Sequence, residues 1–201
     1  MLTFTRRAGE RIVIGGDIEV TILDVGGGRV RVGVTAPRSV PIHRGEVVER
    51  IEAENRRALQ SAAVDAPQSA ETLEIRGGLL GLRIYTRFWP CEVPNTPSLR
   101  LLVAEDDPGI RFVIADAASW FPDYPLEIAC AVSGIPLDDA IVAIILVIPS
   151  DGSPPSANLL APVVISTKER YGVQVVLDAT GLSSRAPLDD VADPALLRAT
   201  T

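Results

Sequence analysis

The feature that most constrains this chain is a change of period near residue 45. From Leu2 to Ile42, apolar residues alternate with polar ones, and glycines interrupt at short intervals. Leu2, Phe4 and Arg6 alternate with Thr3 and Thr5, and Ile12 and Ile14 run into a turn at Gly15–Gly16–Asp17. Ile18, Val20 and Ile22 share one face. Gly26–Gly27–Gly28 makes the next connection, and Val30, Val32 and Val34 alternate with Arg29 and Arg31. Ala36–Pro37 ends that strand, and Val40 and Ile42 open a fifth. Period two between glycine turns predicts a small antiparallel sheet of five strands. Over Glu46–Leu59 the period becomes helical. Val47, Val48, Ile51 and Ala58 fall on one face, and Glu46–Arg50 and Glu52–Arg56 are acid-first pairs one turn apart. A head of about 60 residues is marginal as a monomer, and its strands have too few partners to cover their apolar side. Dimerisation is expected on those grounds alone.

Residues 60–71 are small, polar and proline-bearing, which reads as a linker. Strand patterns resume at 73–75, 82–86, 98–103, 110–115, 140–148, 162–166 and 172–177, separated by Pro- and Gly-bearing connections. Such spacing predicts a β-barrel or sandwich from about Leu73 onward. Residues 189–201 form an acidic tail. The fold class is therefore mainly β: a dimerising sheet with one helix, then a second β domain.

Charge divides along the same line. Residues 1–60 hold ten arginines against eight acids, a net of +2, while the remaining nine basic and 18 acidic residues leave −9. A basic head on an acidic body suggests a nucleic-acid surface that the body can shield. Arginine supplies nearly all the positive charge, with Lys168 the single lysine, and its planar fork suits phosphate and base contacts. The longest apolar run, Ala140–Ile148, falls short of the roughly 20 residues that a spanning helix needs. The opening residues are strand-like rather than leader-like. Cys91 and Cys130 form no metal or redox pair, and a reducing cytosol is their simplest setting. With His43 as the one histidine, no catalytic or metal site and no cofactor is expected. Gly26–Gly28 lacks the following Gly-Lys-Ser/Thr of a phosphate loop. Asp106–Asp107–Pro108 reads as a solvated turn, and Asn158 as the tie of a turn between two strands.

The head resembles the carbon storage regulator family, CsrA, without a gap over residues 1–59. The likeness rests on Met1-Leu2-Thr3-Phe4-Thr5-Arg6-Arg7-Ala8-Gly9-Glu10, Ile14-Gly15-Gly16-Asp17-Ile18, Val30-Arg31-Val32-Gly33-Val34-Thr35-Ala36-Pro37 and Val40-Pro41-Ile42-His43-Arg44-Gly45-Glu46-Val47. The body resembles the flagellar assembly factor family, FliW, over residues 72–188. Here the likeness rests on Gly78-Leu79-Leu80-Gly81-Leu82, Asp106-Asp107-Pro108, Phe121-Pro122-Asp123-Tyr124, Asn158-Leu159-Leu160-Ala161-Pro162-Val163-Val164-Ile165 and Tyr171-Gly172-Val173-Gln174-Val175-Val176-Leu177. The chain departs from that family's pattern at Val103-Ala104-Glu105 and at Ser166.

The first resemblance implies interlocked homodimers that bind unpaired GGA loops in mRNA 5′ leaders and block translation. The RNA surface would combine Thr3, Phe4, Thr5, Arg6 and Arg7 with Val40, Ile42, His43 and Arg44. Arg44 is the leading base or phosphate contact, and Arg6 contributes charge. Phe4 and Ile42 either support bases or serve as core. The second resemblance implies a β-barrel that antagonises CsrA and binds flagellin. Asn55, in Glu54-Asn55-Arg56-Arg57-Ala58, and Asn158 are the expected contacts between the two parts, within one chain or across the dimer. The expectation is a non-enzymatic, cytoplasmic translational regulator fused to its own antagonist and released by flagellin. The alternative is a protein-interaction scaffold or flagellin-binding chaperone that no longer regulates RNA.

Overall fold

The computed structural model describes residues 1–37, 39–59, 71–93, 98–149 and 151–188. The expected linker and the acidic tail fall almost wholly outside them. By packing, the chain divides into Met1–Arg44 and Gly45–Thr201.

The first unit is a meander of β1 (Arg11–Ile14), β2 (Ile18–Gly26) and β3 (Arg29–Thr35). Ile12 lies opposite Val20, and Val20 opposite Val34, as the alternation requires. Three strands form, not five. Residues 1–7 and 40–44 lie outside the sheet, because no described strand of the same chain runs beside either segment to complete a ladder. None of the described residues of this unit is buried, and Val13, Val25, Val30 and Val32 are among the exposed apolar side chains.

The second unit begins with α1 (Gly45–Arg57), followed by β4 (Leu73–Ile75), β5 (Arg87–Glu92), β6 (Leu99–Ala104) and β7 (Arg111–Asp116). Two short helices, α2 (Ala117–Trp120) and α3 (Leu126–Ser133), precede β8 (Ala140–Val147), β9 (Ser156–Ser166), β10 (Tyr171–Gln174) and the two-residue β11 (Ala186–Pro187). β4 to β9 pair in sequence order where they adjoin, and β10 closes the ring by pairing with both β9 and β4. The result is a seven-stranded barrel, with β11 added on β9. Closure needs a glycine. A Cβ at Gly172 would stand 2.9 Å from Ile75 Cδ1 and 3.3 Å from side-chain atoms of Ile165 and Val163.

The barrel interior is filled by Ile75, Phe88, Leu102, Phe112, Ile145 and Val163, among others. The opposite side of β6–β8 packs on α2 and α3 through Trp120, Ala129 and Cys130. The expected strand at 82–86 is instead turn, and the strand forms at 87–92. Both helices escaped sequence notice, being short.

One polar cluster clips the β9–β10 turn to the start of β8. Asp139 accepts from Ser166 Oγ (2.6 Å), Thr167 Oγ1 (2.7 Å) and the Lys168 amide (2.9 Å). These donors, the two hydroxyls first, pull its pKa from 3.8 to about 2. A depressed carboxyl stabilises the fold above its unfolded value and loses that contribution as pH falls toward the folded one. Asp139→Asn should therefore lower the urea midpoint at pH 7, with the gap to the parent chain narrowing from about pH 4 downward. A gap unchanged at pH 3 would contradict this account.

Candidate functional site

α1 presents one stripe to the body, Val47, Ile51, Glu54 and Asn55, which Ala58 continues just past its end, spaced as successive helical turns dictate. Val47 and Ile51 pack on Leu80, Leu160, Ala161 and Val176, while Ala58 joins the barrel-interior cluster. The seat comes from an irregularity in β9. Ala143 pairs with Val163 and Ile145 with Asn158, so residues 159–162 bulge away from the ladder. That bulge carries Leu160 and Ala161 to the helix, and the Leu177 amide donates to Leu160 O at 2.9 Å.

Two polar side chains of α1 enter this apolar seat, and both are paired. Asn55 is fully buried, and its Nδ2 donates to Leu80 O at 2.9 Å and to Gln174 Oε1 at 3.0 Å. Gln174 Nε2 donates to Asn55 Oδ1 (3.3 Å) and Ala161 O (3.2 Å), and its Oε1 accepts from the Leu80 amide (2.9 Å). Glu54, also with no exposed side chain, is held by Arg185, whose Nε and Nη2 both stand 2.5 Å from Oε1. Arg57 Nη1 lies 3.5 Å from its Oε2. The helix approaches the 79–82 turn so closely that only glycine fits. Gly81 has φ +80°, and a Cβ there would meet Arg56 Nη1 at 2.9 Å, Glu52 Cβ at 3.0 Å and Glu52 Cα at 3.2 Å.

Asn158 departs from its expected place. It lies within β9, not in a turn, fully buried opposite Ile145, and neither side-chain amide atom has a hydrogen-bond partner among the described residues. The reason is the bulge beginning at residue 159, which holds Asn158 in the ladder and puts the irregular backbone after it.

The candidate RNA residues of the head are all exposed. The Arg6 guanidinium sits 5.2 Å from the centre of the Phe4 ring and donates to Thr5 O at 3.0 Å. The Arg7 amide donates to Glu10 Oε2 at 2.8 Å. Thr3 belongs to the same extended segment, and Val40, Ile42, His43 and Arg44 lead directly into Gly45, the first residue of α1. No strand pairing joins residues 3–7 to 40–44 among the described residues. Among those residues, no group of three His, Cys, Asp or Glu is placed to hold a metal ion. Asp107 caps its own turn, Oδ1 accepting from the Gly109 amide at 3.1 Å. Burial raises the pKa of both thiols, at Cys91 and Cys130. No described helix is long and apolar enough to cross a membrane.

Family likeness singles out Asn55 in the sequence, whereas nothing there marks Glu54, Gly81, Gln174 or Arg185 as members of this seat. Gln174 reads as the polar half of an alternating strand, and nothing local marks it as a hub.

The geometry defines a two-part protein: an open, arginine-bearing sheet and a closed barrel that holds the helix following that sheet. Residues 1–53 match CsrA, the global regulator protein family, and residues 54–188 match the FliW protein family. The chain belongs to both families, as a natural fusion of the two. It is similar to the translational regulator CsrA of Leifsonia xyli subsp. xyli, 55% identical over 58 residues, which are 29% of this chain and 68% of that protein. The namesake from Shouchella clausii is 47% identical over 74 residues, covering 37% of this chain and 86% of the relative. A crystal structure of the flagellar assembly factor FliW superposes with a TM-score of 0.53 at 21% identity, over 65% of this chain and 92% of that one, a likeness of fold. These families are regulatory, not catalytic.

Gly81→Ala should unseat the helix, through both the close contact and the left-handed backbone. An overpacked site of this kind costs about 1–3 kcal/mol. The urea midpoint should fall, and amide exchange over residues 47–57 should accelerate more than exchange in β6 and β7. Unaltered helix protection would refute the close-approach argument.

Proposed function

We propose that the chain is a translational regulator restrained by its own FliW-type body. Two copies interlock through the head, and residues 3–7 with 40–44 grip unpaired GGA loops of mRNA leaders. Flagellin, by capturing the body, releases the restraint. Support for the dimer is the three-stranded sheet in which no described residue is fully buried and Val13, Val25, Val30 and Val32 are exposed, since so small a sheet is stabilised by covering an apolar face. Family membership supports the RNA reading. Membership of the FliW family, with the fold of a flagellar assembly factor, supports the flagellar setting.

The observation that carries the restraint is the pair Asn55–Gln174 with Leu80 O, in which α1 is fastened to the body. Arg44 immediately precedes that helix. The −9 charge of the body repels phosphate. Tethering raises the effective concentration of the antagonist to the order of millimolar, so the closed form dominates at rest. Arg44 supplies a planar fork for a base edge or phosphate. Arg6, over the Phe4 ring, supplies charge beside a stacking face. Asn55 acts as a restraint contact rather than an RNA contact. Asn158, beside the bulge that builds the seat, acts on the same restraint from the body.

The test uses the full chain and a hairpin presenting GGA, with a CCA hairpin as reference. Asn55→Ala combined with Arg185→Glu should tighten GGA binding about tenfold, or ~1.4 kcal/mol. Adding Arg44→Ala should reverse that gain and flatten the salt dependence. Equal affinity of parent and unfastened chains would overturn the restraint. No response to Arg44→Ala would overturn the RNA surface and leave the scaffold reading.

A further inference from the structure

We propose that the barrel end away from the helix seat is a binding site for a compact aliphatic carboxylate. α1 packs beside one end, where Ala58 and Leu79 join the interior cluster. The other end, where β4, β6, β8 and β10 begin, holds a cavity of about 200 Å³. Its floor is Leu73, Leu102 and Ile114, all buried, and Ile141 stands half-exposed at its lip. Where side chains fill the interior of a small barrel, its mouth is a recurrent place for a small-ligand site. At about 30 Å³ per water-sized group, the space takes some six or seven non-hydrogen atoms, enough for the six carbons of hexanoate with its two oxygens left at the flanking arginines, or for the leucine side chain and terminal carboxyl of a peptide.

Two arginines, Arg100 and Arg170, flank this apolar space, so a ligand with an aliphatic body and one anionic head matches it in shape and charge. Their present partners are exchangeable. Arg170 pairs with Glu71, which is 73% exposed, and Arg100 Nη1 stands 3.7 Å from Glu92, which is 86% exposed. Exposed pairs of this sort contribute little, and each guanidinium offers five donors. A carboxylate is the smallest head that accepts such a fork with two oxygens. The rim is also pre-formed. Ser166 and Thr167 are fixed by Asp139, and Arg170 is the one described non-glycine residue with a left-handed backbone, φ 56°. Backbone strain of that kind is held only where the surroundings impose it.

The probes are hexanoate, hexanol, and the peptide Ala-Ala-Leu with a free or amidated C-terminus, titrated into the full chain by calorimetry. Hexanoate should bind saturably and at least tenfold more tightly than hexanol. Arg100→Gln with Arg170→Gln should remove that preference, and Ile141→Trp, which closes the mouth from an exposed position, should abolish binding while the thermal midpoint stays near that of the parent. Glu71→Gln should strengthen hexanoate binding severalfold by removing the carboxylate that competes for Arg170, while the Arg170 bond to Glu71 O stays. Hexanoate binding without peptide binding assigns the site to free acids. Binding of the free-terminus peptide but not its amide assigns it to the end of a polypeptide. Absence of saturable binding by either acid, equal binding of hexanoate and hexanol, or indifference to the arginine and tryptophan variants overturns the proposal.

Discussion

A buried carboxylate on a helix governs this molecule. Glu54 has no exposed side-chain surface, and an isolated charge there would cost several kcal/mol. Arg185 meets it from the body, with more than half of its own side chain in water. Next to it, Asn55 exchanges hydrogen bonds with Gln174. Val47, Ile51 and Ala58 alone would leave the helix free to slide or turn, since apolar contact is non-directional. The polar pair fixes register and rotation, because any other setting strands a charge and an amide inside the seat. The family boundary falls between residues 53 and 54, within this helix, whereas the packing boundary falls at 44 and 45. Physically, a helix that begins in the CsrA-family part is packed as part of the FliW-family barrel.

The sequence makes some of this legible and hides the rest, for physical reasons. Period-two runs foretell β1 to β3 and most barrel strands, because one face of each meets a core and the other does not. The runs at 2–6 and 40–42 have the same period, yet they are not strands here, since period reports which face wants burial and not whether a neighbour exists. β5 is masked by Pro90, which lies opposite Leu102 of β6, beyond the residues that β4 pairs with. Its missing amide breaks no ladder bond on that side. α3 is only Leu126–Ser133, closed by the left-handed Gly134. So short a segment, rich in Ile, Val and Ala, carries no helical period.

The same distinction separates the site residues. Asn55 is visible through the motif around it. Gln174, Gly81 and Arg185 derive their roles from neighbours as many as 131 positions away in the chain, and no local pattern encodes such a neighbour. Asn158 shows the converse. Its surroundings, Asn-Leu-Leu-Ala-Pro, read as a turn because asparagine and proline favour one, and the chain does deform there. The deformation is a bulge inside a long strand, so the asparagine stays in the ladder and Leu160 and Ala161 are turned to the helix.

Two kinds of equilibrium meet at residue 45. The body buries its own core within one chain, and the seating of α1 is intramolecular, so neither depends on protein concentration. No described residue of the head is fully buried within one chain; if a second copy covers its exposed apolar side chains, that contact is concentration-dependent by mass action. Raising the amount of protein would then cover the exposed sheet without competing for the helix seat. Assembly and release would be controlled separately, the first by how much chain is present and the second by whatever binds the barrel. Two separate chains, one of each family, cannot separate these, because dilution weakens both of their contacts together. Fusion removes the dilution of one contact and leaves that of the other.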